Sequence, residues 1–191
     1  MNTKDLVFVS LFAAIIVALG LIPPITLGFV PVPITAQSFG IMLAGMILGA
    51  KRGVIAVLLV IALVTIGMPV LSGGRGGLAV YAGPTVGFFI GWLPAVFTTG
   101  FFAQTMIKRS QSSLTQLLGF TFSSIIGCVV VLYAAGIIGI MIITGLSFYK
   151  ALLGSMIFVP GDLIKAIVAA IVARTVFINY PVLPPVRLRQ K

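Results

Sequence analysis

Histidine and glutamate are absent from this chain, cysteine and tryptophan occur once each, and only Asp5 and Asp162 carry negative charge. These absences exclude most catalysis before any motif is read. Without histidine there is no Ser–His or Cys–His pair to activate a nucleophile. The carboxylate pair of a glycosidase is lacking, and a metal site would find few ligands. No GxxxxGK[ST] stretch occurs in a strand–helix setting, so a phosphate loop is excluded as well. The chain is expected to be no enzyme, to hold no metal and to need no cofactor. Cys128, in mid-run between Gly127 and Val129, reads as a buried small hydrophobe.

Charge of any kind is scarce: 7% of residues are charged against 60% apolar, and the mean hydropathy is +1.29. No soluble core of this length is built that way, so the chain is an integral membrane protein. Its apolar runs are too continuous for barrel strands, which alternate every second residue. An all-α fold is predicted, a bundle of six transmembrane helices in one domain with irregular outer loops. The spans fall at about residues 5–21, 36–50, 53–68, 84–107, 114–143 and 160–176, punctuated by Pro23-Pro24, Lys51-Arg52, Pro69 and Lys108-Arg109. The first also has the basic start and apolar middle of a signal peptide. No small-x-small cleavage site precedes the prolines, and it is taken as a retained helix. Residues 147–176 are expected to break at Pro160-Gly161 into a short interfacial helix and the last span. The tail, residues 179–191, is Pro-rich and basic and is expected to be mobile and cytoplasmic. There is no internal repeat of the kind many carriers show.

The net charge of +10 lies in short clusters between apolar runs. It marks topology, not a nucleic-acid surface. With the N-terminus inside, Lys4, Lys51, Arg52, Lys108, Arg109, Arg174, Arg187, Arg189 and Lys191 are cytoplasmic, and only Arg75 and Lys150 lie outside, with Lys165 just inside the last helix. The asymmetry predicts a multi-pass protein of the cell membrane with both termini in the cytoplasm. It also gathers the polar oddities on the outer side.

Two of those oddities carry chemistry. Asp162, in Val159-Pro160-Gly161-Asp162-Leu163-Ile164-Lys165, is a carboxylate where an unpaired charge costs at least ~2.5 kcal/mol. Lys165 follows at the spacing that puts both side chains on one helix face. Pro160 suits the first helical turn, where the dipole favours an anion. The pair is either a structural clamp between helices or the polar floor of a binding site. The second oddity is Ser72-Gly73-Gly74-Arg75-Gly76-Gly77, leading to Tyr81 and Gly83-Pro84-Thr85. Such backbone can approach a ligand closely, and Arg75 can hold a carboxylate by a forked pair of bonds. The alternative is a flexible loop whose arginine meets lipid headgroups. Small residues also recur as stripes. Gly87, Gly91, Ala95, Thr99 and Ala103 form one, Gly45 and Gly49 another, Ala14 and Ala18 a third. The ordinary consequence is close helix packing.

Taken together, Val32-Pro33-Ile34-Thr35-Ala36-Gln37, Gly67-Met68-Pro69-Val70 leading into the glycine loop, Gly83-Pro84-Thr85 and Pro160-Gly161-Asp162-Leu163-Ile164-Lys165 resemble the BioY family over nearly the whole chain. These are the biotin-binding membrane subunits (S components) of energy-coupling factor (ECF) transporters. The resemblance implies six helices and a vitamin site near the outer face. It also implies uptake of biotin in complex with a transmembrane coupling protein and two ATPase subunits. Ala14 and Ala18 match the AxxxA pattern by which such subunits dock on the coupling protein. One departure is visible: the family usually continues Gly-Gly-Tyr after Gly83-Pro84-Thr85, where this chain has Val86-Gly87-Phe88.

The chemistry of biotin suits these residues. Its ureido ring offers two N–H donors and one carbonyl acceptor, which Asp162 and Lys165 complement. Its valerate carboxylate would pair with Arg75, with Gln37 and Tyr81 supplying neutral bonds; the reverse orientation puts Lys165 on the carboxylate. Competing functions are a solitary proton-coupled vitamin carrier relaying through Asp162, and an S component for another vitamin.

Overall fold

The structure is a computed structural model that describes residues 2–28, 31–107, 112–180 and 182, and among these all regular secondary structure is helical. Helix α1 is Thr3–Gly20, α2 Gln37–Thr65, α3 Val86–Met106 and α4 Ser113–Ile125. Helix α4 runs through a π-helical turn, Ile126–Val131, into α5, Leu132–Thr144; then come α6, Phe148–Met156, and α7, Val159–Asn179. Four stretches are long and apolar enough to cross a bilayer: α1, α2, α3 and the continuous Ser113–Thr144 run. Helices α6 and α7 make a further candidate as a pair bent by 50°.

Helix α2 covers both segments read from sequence as the second and third spans, and it is not straight. Gly49 leaves helical geometry at φ 79°, ψ 178°, a conformation essentially confined to glycine. A straight helix of 29 residues would hold its ends about 43 Å apart at 1.5 Å per residue. Yet Gln37 Nε2, at its start, donates to Val70 O just past its end at 3.2 Å. The chain therefore folds back at Gly49 into two antiparallel arms. Gly100 of α3 presses against Gly49 and Ala50 at that reversal.

Helix α3 packs most extensively on α2 and α5, and its small residues permit this. Gly87 and Gly91 face Ala135 and Gly139 of α5, while Thr99 lies between Gly45 and Gly127. The stripe is internal. The bend between α6 and α7 falls at residues 157–158, ahead of the expected Pro160-Gly161. Pro160 sits in the first turn of α7, where a missing N–H leaves no bond unmade.

The molecule has two chemically distinct ends. At one, Arg52 pairs with Asp5 at 2.7 Å and donates to Val182 O at 3.0 Å. Ala50 N there donates to Gln104 Oε1 at 3.0 Å, and Phe8 meets Tyr180 edge-on. This end holds the start of α1, the reversal of α2 and the ends of α3 and α7. Asp5 also closes a capping box with Asn2, so the charge at the N-terminus has two structural tasks. Asp162 and the glycine loop lie at the opposite end. Of the other basic residues assigned to the cytoplasm, Lys108, Arg109, Arg187, Arg189 and Lys191 lie outside the described residues, as does most of the tail.

Candidate functional site

Asp162 enters the site from the first turn of α7, its side chain in place because Pro160 starts the helix and Asp162 N donates to Phe158 O at 3.0 Å. The residue is only 7% exposed. Its Oδ1 accepts from Lys165 Nζ at 2.9 Å and from Ser38 Oγ at 3.2 Å. Its Oδ2 accepts from the Tyr133 hydroxyl at 2.6 Å. Lys165 Nζ also donates to Thr35 O at 2.8 Å and Ser38 Oγ at 3.0 Å. The ion pair thus joins α7 to the start of α2, and Tyr133 ties it to α5.

The glycine loop is a defined turn, not a tether. Leu71 and Arg75 exchange backbone bonds at 3.0 and 3.2 Å, with Gly73 at φ 80° and Gly74 at φ 69° between them. Side chains avoid both values, so glycine is required there. Gln37 holds the turn from below. Its Oε1 accepts from Ser72 N at 3.0 Å, and its Nε2 donates to Val70 O and Ile16 O, each at 3.2 Å. Arg75 Nε donates to Ser72 O and Nη1 to Thr85 Oγ1, both at 3.2 Å. Neither partner is charged. Partial burial of Arg75 lowers its guanidinium from its ordinary value by desolvation.

Asp162, Lys165, Arg75 and Gln37 line one cleft of about 670 Å³, its mouth included. Phe88, Phe89, Trp92 and Phe158 supply aromatic wall. The cleft therefore offers an anion–cation pair on one side, a guanidinium with no acidic partner on another, and apolar faces between. Gln37 spends both amide donors on the fold. Tyr81 is not a lining residue: its hydroxyl lies 2.6 Å from Thr65 Oγ1, and its ring packs on Phe89. Phe88 does line the cleft, its ring tip against Gly136 and its edge toward Tyr133.

Three polar contributors escaped sequence reasoning. Thr35 and Ser38 flank Gln37, so their neighbourhood was marked although their contacts were not. Tyr133 gave no local signal beyond being a phenol in an apolar run. Ala14 and Ala18 lie away from the cleft on the exposed face of α1, alongside Val7 and Leu11, 58% and 50% exposed.

Comparison with known proteins agrees over almost the whole chain. The model of the BioY family matches residues 1–181. A biotin transporter BioY of Rhizobium etli is 58% identical, over 96% of this chain and 98% of that protein. One of Rhodobacter capsulatus is 47% identical, over 91% of this chain and 93% of that protein. A crystal structure of the S-component for biotin from an ECF-type ABC transporter superposes with a TM-score of 0.85 at 35% identity, covering 92% of this chain and 94% of that one.

Proposed function

The chain belongs to the BioY family, and from that premise we propose that it is the high-affinity biotin-binding subunit of an ECF-type transporter, mediating biotin uptake. The observation that carries this reading is the Asp162–Lys165 pair in an aromatic-walled cleft that also contains Arg75.

Asp162 accepts three bonds where a carboxylate has capacity for about four. One acceptor position is left for a ureido N–H. Lys165 has all three N–H groups engaged, so donating to the ureido carbonyl means exchanging the Thr35 or Ser38 bond. Arg75, lacking a counter-ion, takes the valerate carboxylate through its fork. Gln37 acts as a positioning residue for the Arg75 turn, and Tyr81 as a brace behind Phe89. A proton relay through Asp162 gains no support, because the carboxylate is already matched to an ammonium and a phenol.

Six spans follow once α2 is counted as two arms and α6–α7 as one bent span. An even number, with the basic end facing inward, supports a reading with both termini in the cytoplasm and the cleft at the outer face. The chain needs no cofactor and hydrolyses nothing itself. Energy comes from a coupling protein and two ATPase subunits, and Ala14 and Ala18 offer the coupling protein a flat face. Titration calorimetry of the purified chain in detergent should show saturable one-site biotin binding, lost in Arg75→Ala together with Asp162→Asn. Absence of binding by the folded wild type overturns the assignment.

A further inference from the structure

Both acidic side chains of this molecule are committed, Asp5 to Arg52 and Asp162 to Lys165. A third guanidinium, only half-buried, has neither of them as a partner. Arg174 lies in the last turns of α7, at the basic end of the molecule. Its Nε is inaccessible to solvent and has no hydrogen-bond partner. A buried charged donor left unpaired is costly, and no carboxylate side chain of this chain is free to meet it. An anion from outside the chain would meet it.

The surroundings of Arg174 indicate which anion. With Ser113, Leu114, Leu117 and Ile171 it lines a groove between α4 and α7. Leu114 and Ile171 are 64% and 51% exposed, so the groove's walls are apolar and open to the outside of the bundle. Arg174 stands five residues before the end of α7 at Asn179, about 7.5 Å along the helix at 1.5 Å per residue, close to the basic end of that span. A soluble anion would gain nothing from the leucines and isoleucine. An acyl chain would, and basic pockets between helices at such an end suit anionic headgroups. We propose that the α4–α7 groove is an anionic phospholipid site, with the phosphodiester on Arg174 and an acyl chain along Leu114, Leu117 and Ile171. It is separate from the vitamin cleft and does not depend on what that cleft binds.

The test uses native mass spectrometry of the full chain released from liposomes of equimolar phosphatidylglycerol and phosphatidylcholine with matched acyl chains. Wild type should retain phosphatidylglycerol preferentially, and Arg174→Gln should lose about fivefold of that retention, the effect of one basic residue at an anionic surface. Arg174→Lys should fall between them, since an ammonium cannot fork. Leu117→Trp should lower retention with the guanidinium intact. Monodispersity of each variant in detergent reports folding and should match the wild type. If Arg174→Gln fails to fold, Leu117→Trp and the wild-type preference still decide. Equal retention of both lipids by wild type, or unchanged retention in folded Arg174→Gln, overturns the proposal. So does displacement of the lipid by millimolar inorganic phosphate, which would mark a plain anion site. Unchanged lipid retention with lost co-purification of partner subunits would assign Arg174 to a protein carboxylate instead, and the proposal falls.

Discussion

Asp162 is tolerated in so apolar a chain because three donors from three elements share its carboxyl group: Lys165, Ser38 and Tyr133. The same arrangement separates the two roles the pair can play. Asp162→Asn strands the Lys165 ammonium, and Lys165→Met strands the carboxylate. Losing one partner of a buried pair costs ~3–5 kcal/mol, so each single change should weaken biotin binding by about 100-fold or more, at ~1.4 kcal/mol per tenfold. The double change strands no charge. A purely structural clamp would be largely rescued by it, whereas a pair that touches the ureido group loses both bonds and stays weak. Calorimetry on the singles and the double decides, and near-native affinity in the double would leave Asp162 and Lys165 as a clamp. Tyr133→Phe keeps the ring beside Phe88 and removes one charge-assisted bond worth ~1.5–3 kcal/mol. Affinity in that variant should fall by about tenfold or more while the protein remains folded. An unchanged Kd would show that Ser38 and Lys165 orient the carboxylate unaided.

At the scale of elements, two departures from regular helix position the site. The π turn at Ile126–Val131 changes the phase of the run before Leu132 and Tyr133, both of which line the cleft; such turns recur at functional sites. Gly49 reverses α2, so that the arm bearing Gln37 and Ser38 returns beside the loop that bears Arg75. An alanine at Gly49 meets a strain of about 1–3 kcal/mol, and its methyl runs into the Gln104 amide. Gly49→Ala should therefore lower the thermal midpoint in detergent, with biotin affinity almost unchanged because the reversal lies at the far end. An unaltered midpoint would show that the reversal relaxes without cost. These elements also mark what sequence could disclose. Lys51-Arg52 announced a boundary, and a rare carboxylate with a lysine three residues on announced the pair. The glycines around Arg75 announced a permissive backbone, and Gly73 and Gly74 use it at positive φ. Ser38 and Tyr133 stayed hidden since their roles exist only after α2, α5 and α7 converge. Tyr81 looked available because a sequence cannot show that its hydroxyl faces Thr65.

Across the whole molecule, charge and chemistry separate: basic residues and the reversal of α2 at one end, the cleft at the other. In a Cys128→Ala background, Leu78→Cys, 72% exposed beside the glycine loop, should label from outside intact cells. Ser112→Cys, before α4, should label only from within. Labelling of both from one side would reverse or break the proposed topology. The remaining surface question is the α1 face. Ala14 and Ala18 stand exposed with Val7 and Leu11, while the opposite face buries Val9, Phe12, Ala13 and Ile16 in the core. Their small size is not used for packing inside this chain. Two small residues four apart let another helix approach closely, and a tryptophan there holds it off. Ala14→Trp and Ala18→Trp should thus abolish energised uptake in cells carrying the partner subunits. Biotin affinity of the isolated chain should stay within about twofold, since exposed substitutions away from packing change free energies by only ~0.5 kcal/mol. Leu11→Trp, replacing a side chain that is already bulky, should cost less uptake than either. If uptake survives both alanine changes, the face meets lipid and the coupling protein docks elsewhere. Loss of binding together with uptake would instead mean that the tryptophans disturb the fold, in contradiction to the exposure of both alanines.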